Sequence, residues 1–206
     1  MEDTYKTISN PAEGIYKDKG SKFLSYAFPV ATETEIREII QAIKKEHHSA
    51  RHHCYAWRLG YDKLLFRAND DGEPSSTAGK PILGQIQSFD LTDILIVVVR
   101  YFGGTLLGVS GLINAYRNAA LDAINQAEII EKIVENKLIV EFDYGVMNEV
   151  MKIFKDEKLP QVNPTFDLRC QINTSVRLTE FERIGKEFLK IEGLKIRPAN
   201  EFSDLN

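Results

Sequence analysis

The sequence predicts an α+β protein of two domains, residues 1–130 and residues 131–206. Three observations predict it. Residues 137–197 read as strand, helix, strand, strand, helix, strand, the order of a ferredoxin-like unit. Residues 93–101 (DILIVVVRY) are almost unbroken apolar sequence, as in a strand buried on both faces. All four histidines and ten of the thirteen glycines fall before residue 131, so the residue types that do chemistry sit in one domain.

Each element follows in order. Residues 13–17 and 22–30 are strands around a Lys19-Gly20 turn. Residues 32–47 form a helix: Ile36, Ile39, Ile40 and Ile43 fall on one stripe, and Thr32 or Thr34 can cap it. Residues 54–59 (CYAWRL) alternate, Gly60-Tyr61-Asp62 turns the chain, and residues 63–67 return as a hairpin partner. Residues 69–80 (NDDGEPSSTAGK) are turn chemistry throughout. Pro81 suits the first turn of a helix that Ile82, Leu83 and Ile86 continue. Gly103-Gly104 ends the strand at 93–101, and residues 112–126 are a helix with Leu112, Ala115, Tyr116, Ala119 and Ala120 on one side. In the second domain, residues 137–142 are a strand, 146–155 a helix, 161–166 and 169–176 strands, 179–189 a helix and 194–197 the last strand. Thr179 ahead of Glu182 suggests a capping box. Such a unit has no catalytic apparatus of its own and serves as scaffold or interaction module.

The chain carries 26 Lys+Arg against 30 Asp+Glu, a formal charge of −4. With 43% hydrophobic and 27% charged residues, collagen-like, low-complexity and disordered classes are excluded. A general nucleic-acid coat is strongly basic, so any nucleic-acid contact here must come from a local group of cations. Cys54 and Cys170 form no CxxC and no disulfide framework; they are small hydrophobes of a reducing compartment. The N-terminal MEDTYKTISNPAEG has no apolar core of a signal peptide, and no apolar run spans a membrane. A cytoplasmic protein is expected.

Three segments hold candidate site residues. The first is residues 47–54 (HHSARHHC). Strand alternation sends His52 and Cys54 one way and His53 and Tyr55 the other, so one of His52 and His53 faces any single cleft. With no second Cys/His pair, no metal site is assigned. His52 is a candidate acid/base or phosphate contact, against a plain polar turn. In the second segment, residues 70–80, Asp70, Asp71 and Glu73 are candidate bases. The spacing is neither an EF-hand nor a P-loop. Ser75, Ser76 and Thr77 offer hydroxyls, Gly79 a permissive backbone and Lys80 a cation at a helix start. A cation there opposes the helix dipole unless an anion comes between. In the third, residues 100–111 (RYFGGTLLGVSG), a buried strand ends in a glycine-rich turn that opens a helix. Gly103, Gly104, Gly108 and Gly111 can expose N–H groups to an anion, with Arg100 and Arg117 flanking. The glycines serve equally for tight turns and close packing. Tyr101 and Phe102 can stack on a base or pack in the core. No cofactor is assigned.

These segments, RHHCYA at 51–56, DDGEPSSTAGKPIL at 70–83, VVVRYFGGTLLG at 97–108 and GLINAY at 111–116, closely resemble the YigZ/IMPACT protein family. The resemblance covers residues 10–125, and the remainder is similar to the extra domain of bacterial members. It implies an N-terminal two-layer α+β domain like the second domain of a small-subunit ribosomal protein and domain IV of elongation factor G. It implies a C-terminal domain like domains III and V of that factor. The larger eukaryotic members are linked to translational control. The chain departs from the family pattern at Asn114, usually basic, and at Ser76 and Ser110, usually glycine; Arg117, a helical turn beyond Asn114, is placed to restore the charge.

Three functions are open. One is a translation-associated protein whose small cleft (His52, Lys80, Arg100 and the glycines) contacts RNA or ribosome phosphates. Another is an enzyme on a small phosphorylated or peptide-like substrate, with Asp70, Asp71 or Glu73 as base or metal ligand and His52 as acid/base. The third is an interaction scaffold, which buried and fully hydrogen-bonded carboxylates in the 70–73 loop would favour.

Overall fold

The computed structural model describes residues 3–198. They form two compact units. One is Tyr5–Lys132. The other runs from Ile133 and includes Asp3 and Thr4. The boundary expected after residue 130 thus lies two residues further on, and the start of the chain belongs with the C-terminal unit. Hydrogen bonds explain this: the Val134 N–H donates to the Asp3 carbonyl at 2.7 Å, and Arg177 and Thr179 both donate to the Asp3 carboxylate. These bonds, the Arg177 guanidinium above all, hold the Asp3 carboxyl well below the usual carboxylate range.

The elements of the first unit are β1 (Thr4–Ile8), β2 (Ala12–Asp18), β3 (Ser21–Pro29), α1 (Glu33–Glu46), β4 (His52–Leu59), β5 (Leu65–Asn69), α2 (Gly79–Ser88), β6 (Ile94–Tyr101), α3 (Gly108–Gln126) and β7 (Ile129–Ile133). β1 and β7 pair as a two-stranded sheet that the sequence patterns did not announce. The main sheet has the order β2-β3-β6-β4-β5 and is antiparallel throughout. Its central strand, β6, is fully buried from Ile94 to Val99. Ile94, Ile96 and Val98 pack with α2 and α3, whereas Leu95, Val97 and Val99 pack with Ile36 and Ile43 of α1. The expected two layers are therefore three. A strand apolar at every position needs cover on both faces, and α1 provides the second cover. α1 starts on a capping box: the Glu35 N–H donates to Thr32 Oγ1 at 3.2 Å and the Thr32 N–H to Glu35 Oε2 at 3.1 Å.

The second unit contains β8 (Glu135–Asp143), α4 (Met147–Asp156), β9 (Val162–Thr165), β10 (Arg169–Arg177), α5 (Phe181–Phe188) and β11 (Lys195–Pro198). The strand order is β11-β8-β10-β9, with antiparallel neighbours. α4 and α5 bury Val150, Phe154, Ile184 and Phe188 against Leu138, Val140, Cys170 and Ile172 of the sheet. The capping box expected at Thr179 is absent. Its hydroxyl donates to Asp3 at 2.6 Å instead, and α5 begins after a single turn of tighter helix at Leu178–Glu180.

Candidate functional site

The 70–78 loop joins β5 to α2, and Asp70 folds its carboxylate back on it. Oδ2 accepts from the Ser76 N–H at 2.8 Å; Oδ1 accepts from Ala78 at 3.0 Å and Gly79 at 2.8 Å. Those amides open α2, so an internal anion already caps this helix. The anion site expected at Gly79 is corrected accordingly. A Cβ at Gly79 would lie 2.5 Å from the Asn69 nitrogen, so this glycine permits close packing. Thr77 is buried and donates to the Pro74 carbonyl at 2.7 Å. Ser75 and Lys80 are exposed.

Asp71 ties the loop to α1 and β4. Its Oδ1 meets Lys44 Nζ at 2.9 Å, and its Oδ2 accepts from the His53 N–H at 2.7 Å. Burial raises the carboxyl's pKa, but Lys44 and His53 outweigh it, and the group stays below its usual range. His53 packs on the α1 side. Burial holds its imidazole below the usual range, despite its bond to the His47 carbonyl and the nearby Asp71. His52 lies on the opposite face of β4. Its Nδ1–H donates to the Asp71 carbonyl at 2.8 Å, which leaves Nε2 without a protein partner among the described residues.

Between β4, β6 and α3 runs a buried polar chain. Arg100 Nη1 donates to Glu73 Oε1 at 2.6 Å, and the Tyr116 hydroxyl donates to the same oxygen at 2.8 Å. The Cys54 thiol approaches the Tyr116 oxygen at 3.3 Å and the Asp70 carbonyl at 3.0 Å. Side-chain exposure is 8% for Arg100 and 3% for Glu73. Burial pushes the Tyr116 hydroxyl and the Cys54 thiol far above their usual ranges, so both stay protonated. Glu73 is thus the counter-ion of Arg100. Arg100 in turn lies 5.6 Å from the ring centres of both Phe23 and Phe102, and its Nε is buried without a partner.

Where β4 begins and β6 ends, His52 stands opposite Arg100 in register. A cavity of about 590 Å³ opens there, lined by Ser49, Ala50, Arg51, His52, Arg100, Tyr101, Phe102 and Leu106. No carboxylate lines it. Of the expected site residues, the structure brings His52 and Arg100 together in this cavity. Ser75, Lys80, Gly103, Gly104, Gly108, Gly111 and Arg117 are not among its lining residues. Gly103 packs on the β2–β3 turn, where a Cβ would fall 1.9 Å from the Gly20 carbonyl carbon. Gly104 and Gly108 have φ of 87° and 73° in open space. α3 starts at Gly108 with no side-chain cap and no acidic residue in its first turn. Phe102, expected to stack on a base or pack in the core, lines the cavity; Arg51 and Leu106 were not among the expected site residues. Arg51 directly precedes the His52 strand, and Leu106 lies in the glycine-rich turn, so neighbourhood was the available signal. Among the described residues, no group of three or more His, Cys, Asp or Glu side chains could hold a metal ion, and no helix is long and apolar enough to cross a membrane.

Comparison with known proteins places this geometry. The Impact N-terminal domain matches residues 19–124, which include every residue of the cavity. The IMPACT family member YvyE of Bacillus subtilis is 37% identical over 150 residues, covering 73% of this chain and 69% of that protein. The family member YigZ of Escherichia coli is 34% identical over 194 residues, covering 88% and 95%. Protein IMPACT of Xenopus laevis is 32% identical over 96 residues, 44% of this chain and 30% of that protein. A crystal structure of a hypothetical protein superposes with a TM-score of 0.72 at 24% identity, over 98% of this chain and all of that one, and shares the fold. With bacterial members aligned along most of their length and the domain match centred on the cavity, this chain belongs to the IMPACT family.

Proposed function

We propose that this protein acts in translational control in the cytoplasm, contacting RNA or ribosome phosphates through the cavity at the β4–β6 end of its N-terminal unit. The observation that carries the reading is a cavity lined by Arg51, His52 and Arg100 and by no carboxylate, in a chain whose net charge is −4. Phosphate affinity depends on such local cations and is salt-sensitive. The exposed Phe102 adds an aromatic face of the kind that unpaired bases stack on. The link of larger family members to translational control gives the process. The C-terminal unit, with its β-α-β-β-α-β order, is assigned as a ferredoxin-like accessory domain that docks rather than reacts.

The test is co-sedimentation with ribosomes at low and at high salt. Two arginine–phosphate contacts to a single strand predict a fall of about sevenfold in affinity from 50 to 200 mM salt. Arg51→Ala is expected to weaken binding and flatten that dependence. Absence of co-sedimentation at low salt overturns the reading.

One observation favours a second reading, the interaction scaffold. Asp70 is fully engaged in capping α2, and Glu73 is buried against Arg100 and Tyr116. The motif loop then holds the fold, and the working surface lies elsewhere. Unchanged ribosome binding in Arg51→Ala would favour it. An enzymatic role draws less support, because Asp70, Asp71 and Glu73 all have protein partners.

A further inference from the structure

We infer that the β4–β6 cavity is a nucleotide site: it holds one phosphate-bearing nucleoside, the phosphate on Arg51, His52 and Arg100 and the base on Phe102. The inference rests on the proposed phosphate and base contacts and deepens them by naming a single nucleoside phosphate as the ligand. Three independent observations carry it.

The first is an incompletely satisfied buried cation. Arg100 is more than nine-tenths buried and lines the cavity, yet only its Nη1 binds protein, and its Nε has no partner at all. Buried donors are almost always paired, so an arginine with donor capacity left over at the wall of a cavity is suited to a further acceptor. Glu73 accepts from Nη1 and is itself held by the Tyr116 hydroxyl, so one side of the guanidinium is fixed in place. His52 is fixed likewise by its Nδ1 bond, with Nε2 open.

The second is the aromatic face. Phe102 is 56% exposed, unusual for a phenylalanine at the end of a central strand, and the Arg100 guanidinium lies 5.6 Å from its ring centre. A ring backed by a cation is a platform for a flat base. Leu106, 82% exposed, adds an apolar edge. The third is size. About 590 Å³ exceeds what a bare phosphate fills and falls within the usual range for small-molecule pockets. Nucleoside phosphate is therefore the ligand chemistry, from an unpaired RNA strand or a free mononucleotide.

The experiment follows fluorescence anisotropy of a short dye-labelled single-stranded oligoadenylate bound to the full chain. Adenosine 5′-monophosphate, adenosine and inorganic phosphate serve as competitors and as direct ligands in calorimetry. The monophosphate is expected to compete and adenosine to compete roughly tenfold more weakly, since it lacks the charge-assisted bonds. Phe102→Ala should weaken the monophosphate roughly tenfold and leave inorganic phosphate unchanged; Arg51→Ala should weaken both. Both side chains are exposed, and Trp57 emission checks that the variants fold. If the oligonucleotide binds but Phe102→Ala has no effect and the monophosphate competes no better than phosphate, the nucleotide site is overturned while RNA contact stands. If the monophosphate binds as described and neither oligonucleotide nor ribosome does, the nucleotide site stands and the RNA reading falls. If none of them binds, both fall.

Discussion

Replacing Glu73 by alanine tests whether the motif loop holds Arg100 in place. The Arg100–Glu73 pair is 2.6 Å long, with side chains 8% and 3% exposed. Removing one member of such a pair leaves a buried charge uncompensated, at about 3–5 kcal/mol. Tyr116 would also lose its acceptor, worth about 1–3 kcal/mol for a buried hydroxyl. The two losses share one oxygen and do not add. The expected cost is therefore about 3–4 kcal/mol. Glu73→Gln keeps the acceptor and loses the charge, so it should cost about half as much. Urea unfolding followed by tryptophan emission reads the correct unit, because Trp57 is the chain's only tryptophan and lies buried on β4. Two domains make a single global transition unsafe to assume, and this local probe avoids that. Arg100→Met in the Glu73→Ala background removes the stranded cation. The double variant should recover at least about 2 kcal/mol relative to the sum of the single changes. A Glu73→Ala cost below about 1 kcal/mol, or strict additivity in the cycle, would refute the buried-pair argument.

Other perturbations follow from the same geometry. Asp70→Ala removes three acceptor contacts at the start of α2 and should destabilise the N-terminal unit by about 1–2 kcal/mol, seen as a lower urea midpoint. Gly103→Ala drives a methyl into the Gly20 backbone and should cost well over about 2 kcal/mol. Gly104→Ala meets open space at φ 87° and should cost about 1 kcal/mol, so equal midpoints for the two variants would sink the close-packing account. His53 is held neutral chiefly by burial, with its pKa below the usual value in the folded state. The unfolded chain then takes up the proton first, so this contribution is complete above about pH 6.5 and is lost as pH falls through that value toward the folded one. Thermal midpoints at acid and neutral pH should therefore differ more for the parent chain than for His53→Gln. An identical difference in both would remove His53 from the pH response.

Much of the fold was legible because its signals are local. The Ile36–Ile43 stripe and Thr32 define α1, and the apolar run of β6 announces a doubly covered strand. That run also implied a helix on each face, which the two-layer expectation overlooked. β1 and β7 gave no comparable pattern: both are five-residue strands, and four positions of β7 are exposed. The Thr179 box failed for a non-local reason, since its partner Asp3 lies 176 residues away. The site shows the same division. Three carboxylates within four positions of a glycine- and serine-rich loop have the composition of a catalytic centre, but composition does not say whom they bind. Asp70 reaches amides six to nine residues ahead, and Glu73 reaches side chains 27 and 43 residues away. Once those partners are known, the charges can be assigned by place. The loop's carboxylates face inward, onto amides, Lys44, Arg100 and Tyr116. Arg51, His52 and Arg100 are the basic side chains that line the cavity. A chain of net charge −4 thus gains a local positive surface by folding its nearest anions back on itself, and Glu73→Ala or Asp70→Ala should therefore disturb the cavity through its walls rather than through its ligand.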